Sequence, residues 1–157
     1  MSSFALDPRL AADTLLMGDL ALCRVLLMND ARYPWLILVP RRANLVEIID
    51  LDRDARATLM EEISLASEAV GALPGVEKLN VGALGNVVRQ LHVHVVGRRV
   101  GDFAGPGPVW GAGTAVKYDD AVASALAART RAALGLGTKP SPTSCAAAPS
   151  APSRTKA

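Results

Sequence analysis

Residues 90–98 read QLHVHVVGR and contain both histidines of the chain, His92 and His94, inside an apolar run. Side chains of a β-strand point alternately to its two faces, so this run predicts a strand over residues 90–97. Gln90, His92 and His94 would share one face of that strand, while Leu and Val side chains on the other face contact the core. A buried face tolerates three polar side chains in a row only if they are hydrogen-bonded. We therefore expect these three residues to line a pocket.

The rest of the chain predicts an α+β domain around this strand. Apolar runs separated by turn residues indicate five strands, at residues 14–17, 22–28, 35–40, 77–83 and 90–97. The first three are expected to form an antiparallel meander, and a tight loop, LGNVVR, is expected to join the last two. A long central helix is predicted from residue 50 to residue 75. Two terminal helices are predicted over residues 7–13 and 119–136.

The composition fits a small soluble domain. The chain has 157 residues, of which 50% are hydrophobic and only 4% aromatic, so the core is expected to consist of Leu, Val, Ile and Ala. Seventeen Lys and Arg against 15 Asp and Glu give a net charge of +2, which is too small for a general electrostatic grip on nucleic acid. A small-molecule partner is therefore expected.

The cysteines and the chain ends set further limits. Charged residues interrupt the N-terminal region and no apolar run approaches ~18 residues, so neither a signal peptide nor a membrane span is predicted. Cys23 and Cys145 offer neither metal-ligand spacing nor a disulfide frame, which fits a reduced cytoplasm. Residues 137–157 are rich in Pro, Ser, Ala and Thr and predict a disordered tail after a domain at residues 1–136.

Three interpretations of the histidine pair compete. The rings could be ordinary polar groups on an open sheet face. They could bind zinc or copper, but such a site needs three or four ligands, and only Asp102 and Cys23 are candidates, both distant in sequence. They could also act in nucleophilic catalysis, in which one neutral imidazole attacks phosphorus and the other donates a hydrogen bond to the phosphoryl oxygens. Adjacent positions on one strand face favour this third interpretation.

The stretch QLHVHVVGR resembles the signature of the histidine-triad (HIT) superfamily of nucleotide hydrolases and transferases, His-φ-His-φ-His-φ-φ, with Gln90 at the first histidine position. LLMND, WLILVPR and LNVGALGN resemble further family segments in the same order, and the resemblance covers about residues 14–100. A bacterial branch of the family is similar in carrying Gln at this position and a segment like GPGPVWG. The resemblance implies a five-stranded antiparallel sheet with one long central helix, and a homodimer.

The resemblance also implies a role for each matching residue. His92 would form a covalent nucleotidyl-phosphoramidate and His94 would bind the α-phosphate oxygens, with Gln90 as the third catalytic position. The implied nucleotide-binding residues are Asn29 at the ribose hydroxyls, Asn80 and Asn86 facing the phosphates, Gly85 and Arg98. The expected ligand is a nucleotide or dinucleotide, and the mechanism requires no metal ion or cofactor.

Two departures from the family pattern favour an alternative function. Val87 stands where the family usually has a Ser or Thr that assists departure of the leaving group, and Gln90 replaces a histidine. The alternative is a nucleotide-binding module with little or no turnover. Trp110, in GPGPVWG, is expected to cover the pocket, to contact a second subunit or to lie in the core.

Overall fold

A five-stranded antiparallel sheet forms the centre of the computed structural model, which describes residues 3–137. The strands are β1 (Thr14–Asp19), β2 (Cys23–Met28), β3 (Trp35–Pro40), β4 (Lys78–Gly82) and β5 (Val93–Arg98), in the order β1-β2-β3-β5-β4. The helices are α1 (Pro8–Asp13), α2 (Arg53–Gly71) and α3 (Asp120–Ala133), with a 3₁₀ turn at Ile48–Asp50. The predicted α+β class and the five-stranded antiparallel sheet are confirmed.

The predicted disordered tail lies, from residue 138 onward, outside the described residues. Within residues 3–137, none of the helices has the length and apolar character needed to cross a bilayer.

Strand alternation gives the sheet two apolar faces. One face forms a cluster with α2, to which β5 contributes Val93 and Val95. The other face carries Ile37 and Val96 and forms a second cluster with residues of α1 and of the segment that follows β5. Gly97 lets β5 approach α2 closely, because a Cβ atom there would lie within 3 Å of side-chain atoms of its neighbours. The chain therefore buries both faces of β5, the strand that carries His94.

The connection before β5 differs from the prediction. The strand begins at Val93 rather than at residue 90, and residues 83–92 form a longer connection than the predicted tight loop. The physical reason is a contact outside the sheet: the backbone N–H of Leu91 donates to the carbonyl oxygen of Leu45 at 3.0 Å. Gln90 consequently lies in a bend before the strand, and the predicted row of three polar side chains on one strand face is not formed.

A buried carboxylate ties α2 to the start of β2. Glu62 is 6% exposed, and its two oxygens accept hydrogen bonds from the backbone N–H groups of Leu22 at 2.7 Å and Cys23 at 2.9 Å. A buried backbone donor is costly without a partner, and a charged acceptor makes the hydrogen bond stronger. Glu62 therefore fixes the helix against the strand on the face opposite to His94.

The substitution Glu62→Ala is expected to lower the free energy of unfolding, because each of the two buried N–H groups then lacks its acceptor, at about 1–3 kcal/mol each. Urea denaturation followed by circular dichroism measures this loss. Glu61→Ala is the matched control, since Glu61 is the neighbouring acid of the same helix and is exposed; it should change stability by less than about 0.5 kcal/mol. Equal losses in both variants would contradict the assignment.

Candidate active site

A cavity of about 350 Å³ opens on the sheet face that is turned away from α2. The sheet contributes Trp35 and Ile37 of β3 and His94 of β5, and His92 lies directly before β5. The connection between β4 and β5 contributes residues 84–88. A third wall comes from the strap, which we define as residues 99–119 between β5 and α3. The cavity thus lies where two connecting segments meet one face of the sheet.

The His92 ring is held by a backbone carbonyl. Its Nδ1 lies 2.6 Å from the carbonyl oxygen of Gln90. A carbonyl oxygen only accepts hydrogen bonds, so Nδ1 must carry the proton and donate. In the neutral ring, Nε2 is then left with a free lone pair, which is the form that a nucleophile or a base requires.

The His94 ring has the opposite arrangement. The indole Nε1–H of Trp35 donates to Nδ1 of His94 at 3.0 Å. An indole nitrogen is a donor only, so Nδ1 of His94 is unprotonated and the proton of the neutral ring lies on Nε2. Burial, with a smaller contribution from His92, lowers the pKa of His94 to about 3. His94 is therefore a neutral hydrogen-bond donor near pH 7.

The two rings contact each other within the cavity wall. Their centroids are 4.8 Å apart at an interplanar angle of 75°, and the side chains are only 6% and 7% exposed. Trp110 packs edge-on against His94, with ring centroids 5.5 Å apart. Gly82 allows this contact, since a Cβ atom there would lie 3.1 Å from the Trp110 ring. Trp110 accordingly lines the cavity beside the histidines.

A buried arginine holds the strap that carries Trp110. Arg98 is 8% exposed and donates twice to the carboxylate of Asp102, at 2.6 and 2.8 Å. It also donates to the carbonyl oxygens of Gly105 and Gly107 and to Oδ1 of Asn80. The hydrogen bonds from Arg98 hold the pKa of Asp102 below its usual value. Arg98 and Asn80, both predicted to bind the nucleotide, thus lie outside the cavity lining and organise the strap.

Asn29 is also placed outside the cavity lining. Its Oδ1 accepts a hydrogen bond from the backbone N–H of Tyr118 at 3.0 Å, which fixes the end of the strap before α3. The next residue, Asp30, lines the cavity and is 1% exposed. Burial raises the pKa of Asp30, but the hydrogen bonds and charge of Arg32, whose ion pair measures 2.6 Å, together with the hydrogen bond from the Val116 N–H, lower it below its usual value.

Sequence reasoning missed Asp30. The available signal was an acid two residues after the end of an apolar strand, with an arginine two positions later.

Gly85 and Asn86 lie in the connection between β4 and β5 and line the cavity as predicted for residues near a ligand. Gly85 has a φ of +73°, a backbone conformation in which a side chain is strained. The structure therefore brings His92, His94, Gly85 and Asn86 together around one cavity. Among residues 3–137, no group of three or more His, Cys, Asp and Glu side chains is arranged to hold a metal ion.

Gln90 is placed differently from the other predicted catalytic residues. It lines a neighbouring cavity of about 290 Å³, which His92 also borders, and is not part of the main cavity lining. Both polar atoms of its side chain are hydrogen-bonded to the backbone of residues 5 and 7. The cause is the bend at residue 90, which turns this side chain toward the N-terminal segment.

Comparison with known proteins agrees with this architecture. A family model of the HIT domain matches residues 9–101. A histidine triad protein from Bradyrhizobium japonicum is 47% identical, with a TM-score of 0.82 over 85% of this chain and 99% of that chain. Similar proteins from Sinorhizobium meliloti (48%, TM-score 0.80, 82% and 96%) and Marinobacter aquaeolei (45%, TM-score 0.83, 85% and 98%) have also been solved. No curated protein matches the chain.

The chain thus shares its fold with solved histidine triad proteins to which it is 45–48% identical. The chain belongs to the HIT domain family, whose members are in general nucleotide-binding hydrolases and transferases.

The two histidines are expected to hold opposite tautomers. In ¹⁵N-histidine NMR spectra at neutral pH, the proton should lie on Nδ1 of His92 and on Nε2 of His94, because each ring has a fixed partner at its Nδ1. The spectrum contains only two histidines when the protein carries no affinity tag. Trp35→Phe keeps an aromatic ring but removes the donor, so it should mix the tautomers of His94 alone. A single tautomer type for both rings would refute this arrangement.

The depressed pKa of His94 makes stability depend on pH. Between about pH 6.5 and pH 3 the unfolded chain binds a proton at His94 that the folded protein does not. The free energy of unfolding therefore falls as pH is lowered through this window, and the contribution of His94 is fully present above it. Uptake of this one proton by the unfolded chain lowers the free energy of unfolding by about 2 kcal/mol between about pH 7.5 and about pH 5. Urea midpoints at both pH values should fall less in His94→Gln, which does not titrate; parallel losses would argue against a depressed pKa.

Proposed function

We propose that the protein hydrolyses or transfers the nucleotidyl group of nucleotide derivatives by attack on their α-phosphate, through a covalent nucleotidyl-histidine intermediate on His92. The observation that carries this proposal is the pair of opposite hydrogen bonds at Nδ1 of the two rings. They leave one ring with a lone pair and the other with an N–H at their Nε2 atoms. Attack on phosphorus needs one of each, side by side.

The proposed reaction has two steps. In the first, Nε2 of His92 forms a bond to the α-phosphorus while the bond from phosphorus to the leaving group breaks, and the leaving group takes the electron pair. In the second, water attacks the same phosphorus, the bond to Nε2 breaks and a proton leaves the attacking water. The products are the leaving group, a nucleoside monophosphate and free His92. Another nucleophile in place of water gives transfer instead of hydrolysis.

The second ring stabilises the charge that develops on phosphorus. Nε2–H of His94 donates to a non-bridging phosphoryl oxygen, and the ring needs no change of protonation because burial keeps it neutral. Gly85 and Asn86 lie in the wall beside His92, where main-chain and amide N–H groups can face the remaining oxygens. The scheme requires no metal ion or cofactor.

The cavity supports a nucleoside as the bound group. A volume of about 350 Å³ is in the range of small-ligand sites, and apolar side chains dominate its lining. In this proposal Trp110 packs against the nucleoside from the strap. Asn29, Asn80 and Arg98 contribute by holding the strap in place, since their side chains are engaged with it or with each other.

We further propose that the protein works as a cytoplasmic homodimer. The support is the outer edge of the sheet, where β4 pairs only with β5. Val81 of that strand is 49% exposed and Leu84 beyond it is 43% exposed. An edge strand with apolar neighbours suits pairing with a second copy of the same strand.

Trapping the intermediate tests the enzymatic proposal. With a dinucleoside polyphosphate or a nucleoside phosphoramidate labelled at the α-phosphate, quenching in alkali should leave a label on His92 that is stable to base and is released by acid. His92→Ala should lose the label and nearly all monophosphate release. His94→Gln should still be labelled, but with a rate lower on the order of a hundred- to a thousandfold, as for loss of one donor to the transition state.

The trapping experiment also distinguishes an enzyme from the alternative, a nucleotide-binding module without turnover. If the wild-type protein forms no label and releases no monophosphate, while nucleotides still raise its melting temperature, the protein is a binding module without turnover. If label persists in His92→Ala, the nucleophile is another residue. Absence of turnover would agree with the presence of Val87 in the cavity wall, since this 76% exposed apolar side chain stands in place of a hydroxyl.

A further inference from the structure

We propose that Gln90 is a positioning residue, and that its side-chain amide binds the N-terminal segment in order to fix the carbonyl group that holds the nucleophile. This inference rests on the proposed role of His92. It assigns the N-terminal segment, residues 5–7, to the catalytic apparatus, although this segment does not line the main cavity.

The side-chain amide of Gln90 forms two hydrogen bonds with the N-terminal segment. Its Nε2 donates to the carbonyl oxygen of Ala5 at 2.8 Å, and its Oε1 accepts from the backbone N–H of Asp7 at 2.9 Å. A donor and an acceptor on alternate residues of the segment match the two ends of one carboxamide. We call this double contact the amide bracket. It directs both polar atoms of the side chain toward the N-terminal segment, and Gln90 is not part of the main cavity lining.

The segment that receives the bracket is itself anchored. The side chain of Asp7 caps α1 by accepting from the backbone N–H of Arg9 at 2.8 Å. Arg9 in turn donates to the carbonyl oxygen of Val87 at 3.2 Å, on the same connection that carries Gln90. Leu10 is buried against the sheet face that borders the cavity. The bracket therefore joins the connection before β5 to an N-terminal segment that is itself held in place by α1.

The main chain of Gln90 transmits this constraint to the nucleophile. Its carbonyl oxygen accepts from Nδ1 of His92 at 2.6 Å, and residue 90 lies in a bend outside any strand ladder. The N–H of the same peptide group, that of Leu91, donates to the carbonyl oxygen of Leu45 at 3.0 Å, so the amide bracket and this hydrogen bond fix the carbonyl together. Without the bracket the peptide group has one restraint fewer and can tilt, and the ring then loses contact with the acceptor that keeps the proton on Nδ1. With the proton on Nε2 the ring has no lone pair to offer to phosphorus. The amide bracket thus acts on the tautomer of His92 and not on the substrate.

Gln90→Ala provides the first test, with two readouts. The fraction of His92 protonated at Nδ1, from ¹⁵N NMR, should fall, and the rate of His92 labelling should drop on the order of ten- to a hundredfold with little change in KM. The NMR readout does not depend on activity. A wild-type tautomer in a folded Gln90→Ala protein would overturn the inference.

A second pair of variants isolates one hydrogen bond of the bracket. Asp7→Pro removes the N–H that Gln90 accepts, and the φ of −55° at this position suits proline. Asp7→Ala is the matched control, because it loses the same helix cap but keeps the N–H. The labelling rate should fall several-fold further in Asp7→Pro than in Asp7→Ala. Equal rates in the two proteins would contradict the bracket.

Combining the substitutions tells positioning from direct catalysis. In a Gln90→Ala background, Asp7→Pro and Asp7→Ala should behave alike, since the acceptor of the N–H is gone. If Gln90→Ala lowers the rate by the same factor in both Asp7 variants, Gln90 acts on the substrate and the inference fails. Absence of label and turnover in the wild-type protein would defeat the proposed function instead, and the NMR comparison would still report on the bracket.

Discussion

The site depends on one constraint, the contact between two buried imidazoles. With ring centroids 4.8 Å apart and side chains less than a tenth exposed, both rings cannot carry charge at low cost. Two unrelated partners divide the protons between them. The carbonyl oxygen of Gln90 accepts a hydrogen bond from Nδ1–H of His92, and the indole N–H of Trp35 donates a hydrogen bond to Nδ1 of His94. One sequence motif, two histidines at alternate positions, therefore gives two chemically different groups. The difference between the two rings comes from their hydrogen-bond partners at Nδ1.

The strands of the sheet position the aromatic rings of the site, whereas hydrogen bonds from polar side chains hold the connecting segments. β3 and β5 place Trp35 next to His94, and the ring of Trp35 is held in the second apolar cluster. The strap, in contrast, has little regular structure, and Arg98 compensates by binding two of its carbonyl groups and Asp102. The connection before β5 is held by the N-terminal segment. Two irregular segments thus obtain fixed geometry from single polar side chains: the strap from Arg98, and the connection before β5 from Gln90.

Much of this architecture follows from local sequence, and the rest does not. Alternation in WLILVP and the Asp7–Pro8 helix start are local signals, and the predicted strands and helices are observed within a few residues. The structure places His92, His94, Gly85 and Asn86 around one cavity, and these residues are also close in sequence. The positions of the Gln90 and Arg98 side chains do not follow from the local pattern, and Asp30 was not among the expected residues, because each has partners that a local pattern does not specify. Gln90 binds residues more than 80 positions away, and the buried Arg98 side chain binds residues 80, 102, 105 and 107.

The charges around the cavity fit a site that recognises a phosphate mainly through N–H groups. The lining contains Arg32, but the carboxylate of Asp30 engages its guanidinium, and Arg98 is engaged by Asp102 behind the wall. Because carboxylates engage both guanidinium groups, these two cations are less available to a phosphate. N–H dipoles fixed by the fold can instead be aimed at oxygens whose charge grows during attack. In the proposed reaction, neutral His94, held by burial and by Trp35, is such a donor, and it stays uncharged while the neighbouring ring becomes bonded to phosphorus.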